Sequence, residues 1–133
     1  MKDKSVIKMV LGGFLIGGLG YWFQPYNDLY ILGINIYLII GVGAFLASLF
    51  MSLYKKRKPI KIASFVTIGI ILAVVCRIVY DITFWDGTSH NLAPFELVIC
   101  GLIAFIPAII GGFLGKFTGN MFNPKTSFLQ RKK

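Results

Sequence analysis

The stretch IASFVTIGIILAVVCRIVYDITF, residues 62–84, contains only two charged residues, Arg77 and Asp81, among isoleucine, valine and other mainly apolar side chains. A helix needs about 20 mainly apolar residues to cross a hydrocarbon core about 30 Å thick. Residues 62–84 meet this requirement in both length and composition. The stretch therefore predicts a transmembrane helix.

Three further apolar stretches of similar length lie at about 6–23, 29–53 and 94–117. The chain of 133 residues is 56% hydrophobic and 14% charged, whereas a soluble domain has about 25% charged residues. The segments between the apolar stretches are too short to hold a soluble domain. We therefore predict an all-α membrane protein in which residues 1–133 form a single integral membrane domain. Four transmembrane helices form a compact bundle, and a basic cytoplasmic tail at 118–133 follows them.

The first apolar stretch also has features of a secretory signal, because a short basic segment precedes it. A signal peptide would end at small residues, but this stretch ends at Tyr21, Trp22 and Phe23. Aromatic residues in such a position are typical of a helix end at the membrane interface. We predict that helix one is retained and that these rings lie in the interface.

Positive charge is concentrated at one end of the predicted helices. All but one of the 14 lysine and arginine residues precede helix one, lie in or beside the loop between helices two and three, or lie at the end of helix four and beyond. All but one of the five acidic residues lie at the opposite ends. Cytoplasmic loops are enriched in lysine and arginine, so we predict a cell-membrane protein with both termini in the cytoplasm and residues 77–96 facing outward.

The same basic residues indicate a partner. A net charge of +9 would suggest nucleic acid in a soluble protein. Here the basic segments alternate with membrane spans, so we predict contact with anionic lipid headgroups at the cytoplasmic face and no binding to nucleic acid. The residues predicted to contact headgroups are Lys55, Lys56, Arg57, Lys58 and Lys61.

Small residues recur at four-residue spacing in three of the helices. This spacing lets helix backbones approach closely in a membrane, where no hydrophobic effect drives association. Packing within the chain is one explanation; self-association, or packing against another membrane protein, is the alternative. The predicted packing residues are Gly13 and Gly17 in helix one, Gly43 and Ala47 in helix two, and Gly111 and Gly115 in helix four.

Arg77 is the one basic residue at the acidic ends of the helices. Asp81 lies four residues further on, so the two side chains share a helix face and can form an ion pair. An arginine at membrane depth needs such a partner, a polar cavity or a route to the interface. Glu96, in the first turn of helix four, is stabilised there by the helix dipole and is a second candidate partner for Arg77.

His90 is the only histidine, and Asp86 lies close to it in sequence. A metal site or a general base is conceivable in such a pair, but there is no second histidine or cysteine at ligand spacing. Cys76 and Cys100 lie in apolar segments, where cysteine is usually an inert hydrophobe. We therefore predict no metal site, no cofactor and no catalytic residue. The candidates for ligand binding or ion pairing are Arg77, Asp81, Glu96, His90 and Asp86.

Three functions are compatible with this sequence. The first is a non-enzymatic accessory, regulatory or assembly component packed through its glycine faces. The second is a small-solute or ion transporter or channel, in which Arg77, Asp81 and Glu96 line an outward-facing polar site. The third is a membrane enzyme that uses His90 with an acidic partner. We place them in this order, because no polar path crosses the inner half of the spans and no catalytic motif is present.

Overall fold

The computed structural model describes residues 3–23, 28–54, 57–85, 87–88 and 92–122. In chain order its elements are α1 (Asp3–Tyr21), β1 (Tyr30–Ile31), β2 (Ile34–Asn35), α2 (Ile36–Tyr54), α3 (Pro59–Phe84) and α4 (Ala93–Phe122). All four helices are long and apolar enough to cross a membrane. The prediction of a multi-pass, helical membrane protein is confirmed at this level.

The predicted start of helix two, at residue 29, is wrong. Residues 30–35 form a short antiparallel hairpin, in which Tyr30 pairs with Asn35 and Ile31 with Ile34. The turn between the strands requires positive φ angles, and Leu32 (51°) and Gly33 (82°) have them. Two-residue hairpin loops favour such left-handed positions because their twist matches that of the strands.

Asn35 explains why α2 begins where it does. Its side-chain oxygen accepts a hydrogen bond of 2.9 Å from the backbone N–H of Tyr37. Asparagine is favoured in this position because it satisfies one of the N–H groups that a helix start leaves without a partner. The hairpin therefore passes directly into a capped helix.

The other helices differ from their predicted bounds at the ends. The third helix begins earlier, at Pro59, because proline fits the first turn, where no N–H group is required. The fourth helix runs through Pro107 and reaches Phe122, so its last turn includes the first residues of the predicted tail. The remainder of that tail lies outside the described residues.

The helices pack mainly as two pairs, α1 with α3 and α2 with α4, and α3 also contacts α4. In the first pair Gly13 faces Val66 and Gly17 faces Ile70, so the two helices run in the same direction. This is the geometry expected when alternate helices cross a membrane in the same sense. The most buried helix is α3, with 50% of its spanning residues buried against 28–33% in the other helices.

A small set of apolar side chains forms the shared core. Six of its 14 members project from the buried side of α3, and each of the other helices contributes two or three. The core residues are Met9, Tyr21, Ile36, Ile40, Ala44, Ile62, Ala63, Val66, Ile70, Val74, Ile78, Cys100, Ala104 and Ala108.

Candidate functional site

The two ends of the helices differ in charge. We call the end where α1 and α3 finish and α2 and α4 begin the acidic end, because Asp28, Asp81 and Glu96 lie there. The other end is called the basic end, and its exposed lysines are Lys4, Lys8, Lys58, Lys61 and Lys116. Arg57 also lies at the basic end and is half-buried. Two predicted headgroup contacts, Lys55 and Lys56, lie outside the described residues.

Arg77 forms the ion pair expected from its spacing to Asp81. Its Nε donates a hydrogen bond of 3.0 Å to Oδ2 of Asp81. Asp81 is only 4% exposed, so its carboxylate is held in a poorly solvated position where a charge needs a partner. Arg77 lies about two turns, and Asp81 about one turn, before the end of α3 at Phe84.

A second contact of Arg77 reaches another helix. Its Nη1 donates a hydrogen bond of 3.3 Å to the carbonyl oxygen of Trp22, the residue that follows α1. The last carbonyls of a helix lack partners within the helix, and a positive charge near them is favourable. The guanidinium also lies 5.9 Å from the centre of the Tyr80 ring, which is itself 6.0 Å from the Trp22 ring. Arg77 therefore fastens the end of α1 to α3.

Glu96 lies in the first turn of α4 and is half-buried. Cys100, one turn further along the same helix face, is fully buried in the core. Glu96 thus projects just above the core beside the side chain of Tyr21, and Tyr37 lies beside Tyr21 as well. Three different helices supply this group of side chains.

Tyr21 is the residue that sequence reasoning placed wrongly. We predicted it in the interfacial ring of aromatic residues, but it is 8% exposed and belongs to the core, whereas the adjacent Trp22 is exposed. Its hydroxyl has no hydrogen-bond partner within the described part of the chain. Tyr37 was not singled out either. Its signal is its place in the first turn of α2, two residues after the hairpin, which the sequence did not reveal.

Gly13 and Gly17 both face α3. A β-carbon at Gly13 would overlap the carbonyl oxygen of Val66, and one at Gly17 would lie 2.8 Å from Ala73 Cβ. The contact is reciprocal, because a β-carbon at Gly69 of α3 would overlap the carbonyl oxygen of Val10. The packing role of Gly69 was not predicted, because its only sign in the sequence is a single glycine inside a helical pattern.

The pair of α2 and α4 is built in the same way. A β-carbon at Gly111 would overlap the carbonyl oxygen of Phe45, and one at Gly115 would overlap that of Leu49. Next to them Ser52 Oγ donates a hydrogen bond of 2.7 Å to the Gly112 carbonyl.

The remaining small residues of helix two face inward as well. A β-carbon at Gly43 would lie 2.6 Å from Cγ2 of Ile16 on α1, and Ala47 packs half-buried against the core. Since the glycine faces of α1 and α4 contact helices of the same chain, a second copy would have to displace a helix to use them.

Two further candidates, Asp86 and His90, lie outside the described residues. Among the residues that are described, no three histidine, cysteine or acidic side chains lie together. Cys76 is an exposed free thiol and Cys100 a buried one.

Comparison with known protein families, with curated proteins and with solved structures finds no match for this chain.

Proposed function

We propose that the chain is a non-catalytic component of the cell membrane that acts by associating with lipid and with other membrane proteins. Its termini lie in the cytoplasm, and it performs no chemical turnover. The observation that carries this proposal is the direct backbone contact between helices at Gly13, Gly69, Gly111 and Gly115, which leaves association with partners to the exposed apolar faces of the helices. A protein built in this way serves as a rigid, narrow unit in the membrane.

Glycine contacts of this kind leave little space for a substrate path. Helix backbones that touch have no room for a water-filled passage between them. The charged side chains in the described parts of the spans lie within about two turns of a helix end. The middle of the unit therefore offers hydroxyl groups and apolar side chains, which supports a packing role over transport.

The cytoplasmic placement of the basic end follows from its lysines and is testable directly. Single cysteines at positions 57 and 87 would be introduced into a chain with Cys76 and Cys100 replaced by alanine. A membrane-impermeant maleimide added to intact cells is expected to label position 87 and not position 57. Both positions lie outside the spans, so labelling of position 57 alone would show that the orientation is the opposite of the one proposed.

If the chain has an accessory role, it should associate with at least one other protein in its own membrane. Two copies carrying different tags would be extracted together in lipid discs that retain native lipid. We expect an assembly larger than one chain, and the tags show whether the second member is another copy. A chain that is monomeric and alone at native abundance would contradict the accessory role.

Transport is the second candidate, and one observation favours it. The hydroxyls of Ser48 and Thr67 are buried inside the spans with no hydrogen-bond partner among the described residues. Such groups mark a polar path in some membrane proteins. The discriminating measurement is flux in proteoliposomes across alkali cations, halides and organic amines. We expect none above protein-free vesicles; a flux that Glu96→Gln abolishes would establish transport instead.

A further inference from the structure

An open apolar groove runs along α1 near the basic end. Its volume is about 420 Å³, and the side chains that line it are Val6, Ile7, Val10, Leu11 and Phe14. Ligand sites commonly have volumes of about 300 to 1,000 Å³. The lining follows α1 over about 12 Å, at 1.5 Å per residue. The groove therefore has room for part of a hydrocarbon chain.

The groove lies beside the contact between α1 and α3. A β-carbon at Gly69 of α3 would overlap the carbonyl oxygen of Val10 and lie 2.8 Å from the backbone nitrogen of Phe14. Ile7 and Leu11, at the other edge, are 61% and 54% exposed. Helix packing thus fixes one side of the groove, and the other side is open to the lipid tails that surround a membrane span.

Toward the basic end the groove approaches a cluster of exposed lysines from two helices. This lysine cluster consists of Lys4 and Lys8 of α1, and Lys58 and Lys61 at the start of α3. Gly13 faces Val66 across the two parallel helices. Lys8 and Lys61 each lie five residues before these two positions, so they are at the same level. Charges from both helices therefore gather at one height above the groove.

The lysine cluster favours an anion. None of its members forms an ion pair with an acidic side chain that the structure describes. Lys4 lies three residues before Ile7 and seven before Leu11, so it shares the helix face that borders the groove. Both α1 and α3 begin at this end, and the positive end of a helix dipole attracts negative charge.

We infer that the groove and the lysine cluster together bind one anionic phospholipid, with an acyl chain in the groove and the phosphate among the lysines. This site rests on the proposed association with lipid, and it adds the place and the class of lipid. Each lysine near an anionic headgroup strengthens binding by about fivefold. A zwitterionic phospholipid carries a positive group next to its phosphate and is attracted less.

A second copy of the chain fits this surface less well than a lipid does. Closed dimers place the same patch of both copies against each other. Two copies joined at the groove in one membrane would bring two lysine clusters together at the basic end, where like charges repel. An anionic lipid neutralises the same charges.

The first test measures affinity, with the full chain in an uncharged detergent. Phosphatidylglycerol and phosphatidylcholine with identical acyl chains are titrated separately, and native mass spectrometry counts the bound lipids. We expect one phosphatidylglycerol to bind saturably and about tenfold or more tightly than phosphatidylcholine. Equal affinities, or binding that never saturates, would overturn the inference.

Lysine variants separate the cluster from the general charge of the basic end. Lys4→Gln is expected to weaken phosphatidylglycerol binding about fivefold, and Lys4→Gln with Lys8→Gln about 25-fold. Lys116→Gln is the matched control, because Lys116 is an exposed lysine at the same end on α4, which packs on α2 and α3. Its affinity should change by less than about twofold. A loss at Lys116→Gln as large as at Lys4→Gln would contradict a site on α1.

A groove variant tests the place of the acyl chain. Val6→Phe puts a ring into the groove and is expected to weaken binding about tenfold, because apolar contact with the chain is lost. Leu19→Phe, at an exposed position of the same helix outside the groove, should bind as the wild type does. Unfolding midpoints show that both variants are folded. A folded Val6→Phe variant with normal affinity means that the chain does not occupy the groove.

Photocrosslinking locates the lipid in a bilayer without any substitution. The wild-type chain is placed in phosphatidylcholine discs that contain some phosphatidylglycerol with a diazirine on its acyl chain. We expect the crosslinks to concentrate at residues 6–14. Crosslinks spread evenly over the exposed faces of all four helices would overturn this site and leave the proposed association with lipid intact. If no lipid crosslinks to the chain or is retained by it, both are wrong.

Discussion

Arg77 Nη1 donates a hydrogen bond of 3.3 Å to the carbonyl oxygen of Trp22, so a side chain of α3 caps the end of α1. The same guanidinium holds the carboxylate of Asp81 through its Nε at 3.0 Å. Arg77 thus donates a hydrogen bond to a helix end whose carbonyl lacks a partner, and it supplies a cation to a buried carboxylate that lacks solvent. These contacts give Arg77 a structural role at the acidic end.

Replacing Arg77 by alanine is expected to destabilise the protein by roughly 3 to 5 kcal/mol, the usual effect of removing one partner of a buried ion pair. The loss arises because the carboxylate of Asp81 keeps its charge with no cation beside it. The free energy of unfolding in mixed micelles measures the effect. The double variant Arg77→Ala, Asp81→Ala should be more stable than Arg77→Ala alone. Lys61→Ala, at an exposed lysine, serves as the control; if Arg77→Ala is as stable as this control, the structural role is wrong.

Gly13→Ala and Gly18→Ala should change stability in opposite directions. A β-carbon at Gly13 would overlap the backbone of Val66, whereas one at Gly18 would meet no side chain closer than Trp22 Cδ1 at 4.0 Å. Alanine in an open helical position stabilises by about 0.5 to 1 kcal/mol relative to glycine. Overpacking destabilises by roughly 1 to 3 kcal/mol. Unfolding free energies of the two variants check the difference in sign, and a stabilised Gly13→Ala variant would contradict the packing of α1 on α3.

Ser52→Ala and Ser48→Ala form a matched pair on α2. Both serines are buried, at 5% and 0% exposure, but only the Ser52 hydroxyl has a described partner, the Gly112 carbonyl. We expect Ser52→Ala to lose about 1 kcal/mol and Ser48→Ala to be neutral or slightly stabilising. Thermal unfolding midpoints in one detergent suffice for the measurement. Equal losses at both positions would mean that Ser48 has a polar partner of its own.

Leu32→Asn is expected to stabilise the hairpin. Leu32 is 98% exposed and has a φ of 51°, in the left-handed region. That conformation is unfavourable for leucine by about 1 to 2 kcal/mol, and asparagine tolerates it better. The unfolding midpoint should rise, and Leu32→Val should lower it, because a β-branched residue suits the left-handed region least. A fall in the midpoint of Leu32→Asn would show that the leucine side chain is held in the lipid interface.

The number of spans and the partition of charge between their ends followed from the sequence, and the approximate bounds of α1, α3 and α4 did as well. Each depends on residue composition over a window of about 20 positions, which is summed along the chain and needs no knowledge of neighbours. The Arg77–Asp81 pair was equally accessible, because residues four apart on one helix share a face in any fold. The start of α2 was not, because residues 30–34 are mainly apolar and a short apolar run does not by itself distinguish a strand from a helix.

The tertiary structure alone decided which faces of the helices meet. In a membrane, lipid tails are as apolar as leucine, so hydrophobic patterning does not distinguish the side of a helix that faces lipid from the side that faces protein. The contact of Gly69 with Val10, the burial of Tyr21 and the reach of Arg77 to Trp22 all depend on how two helices are placed relative to each other. The sequence determined which segments can cross the membrane. The packing of helix backbones at a few glycines determined which neighbours the side chains contact.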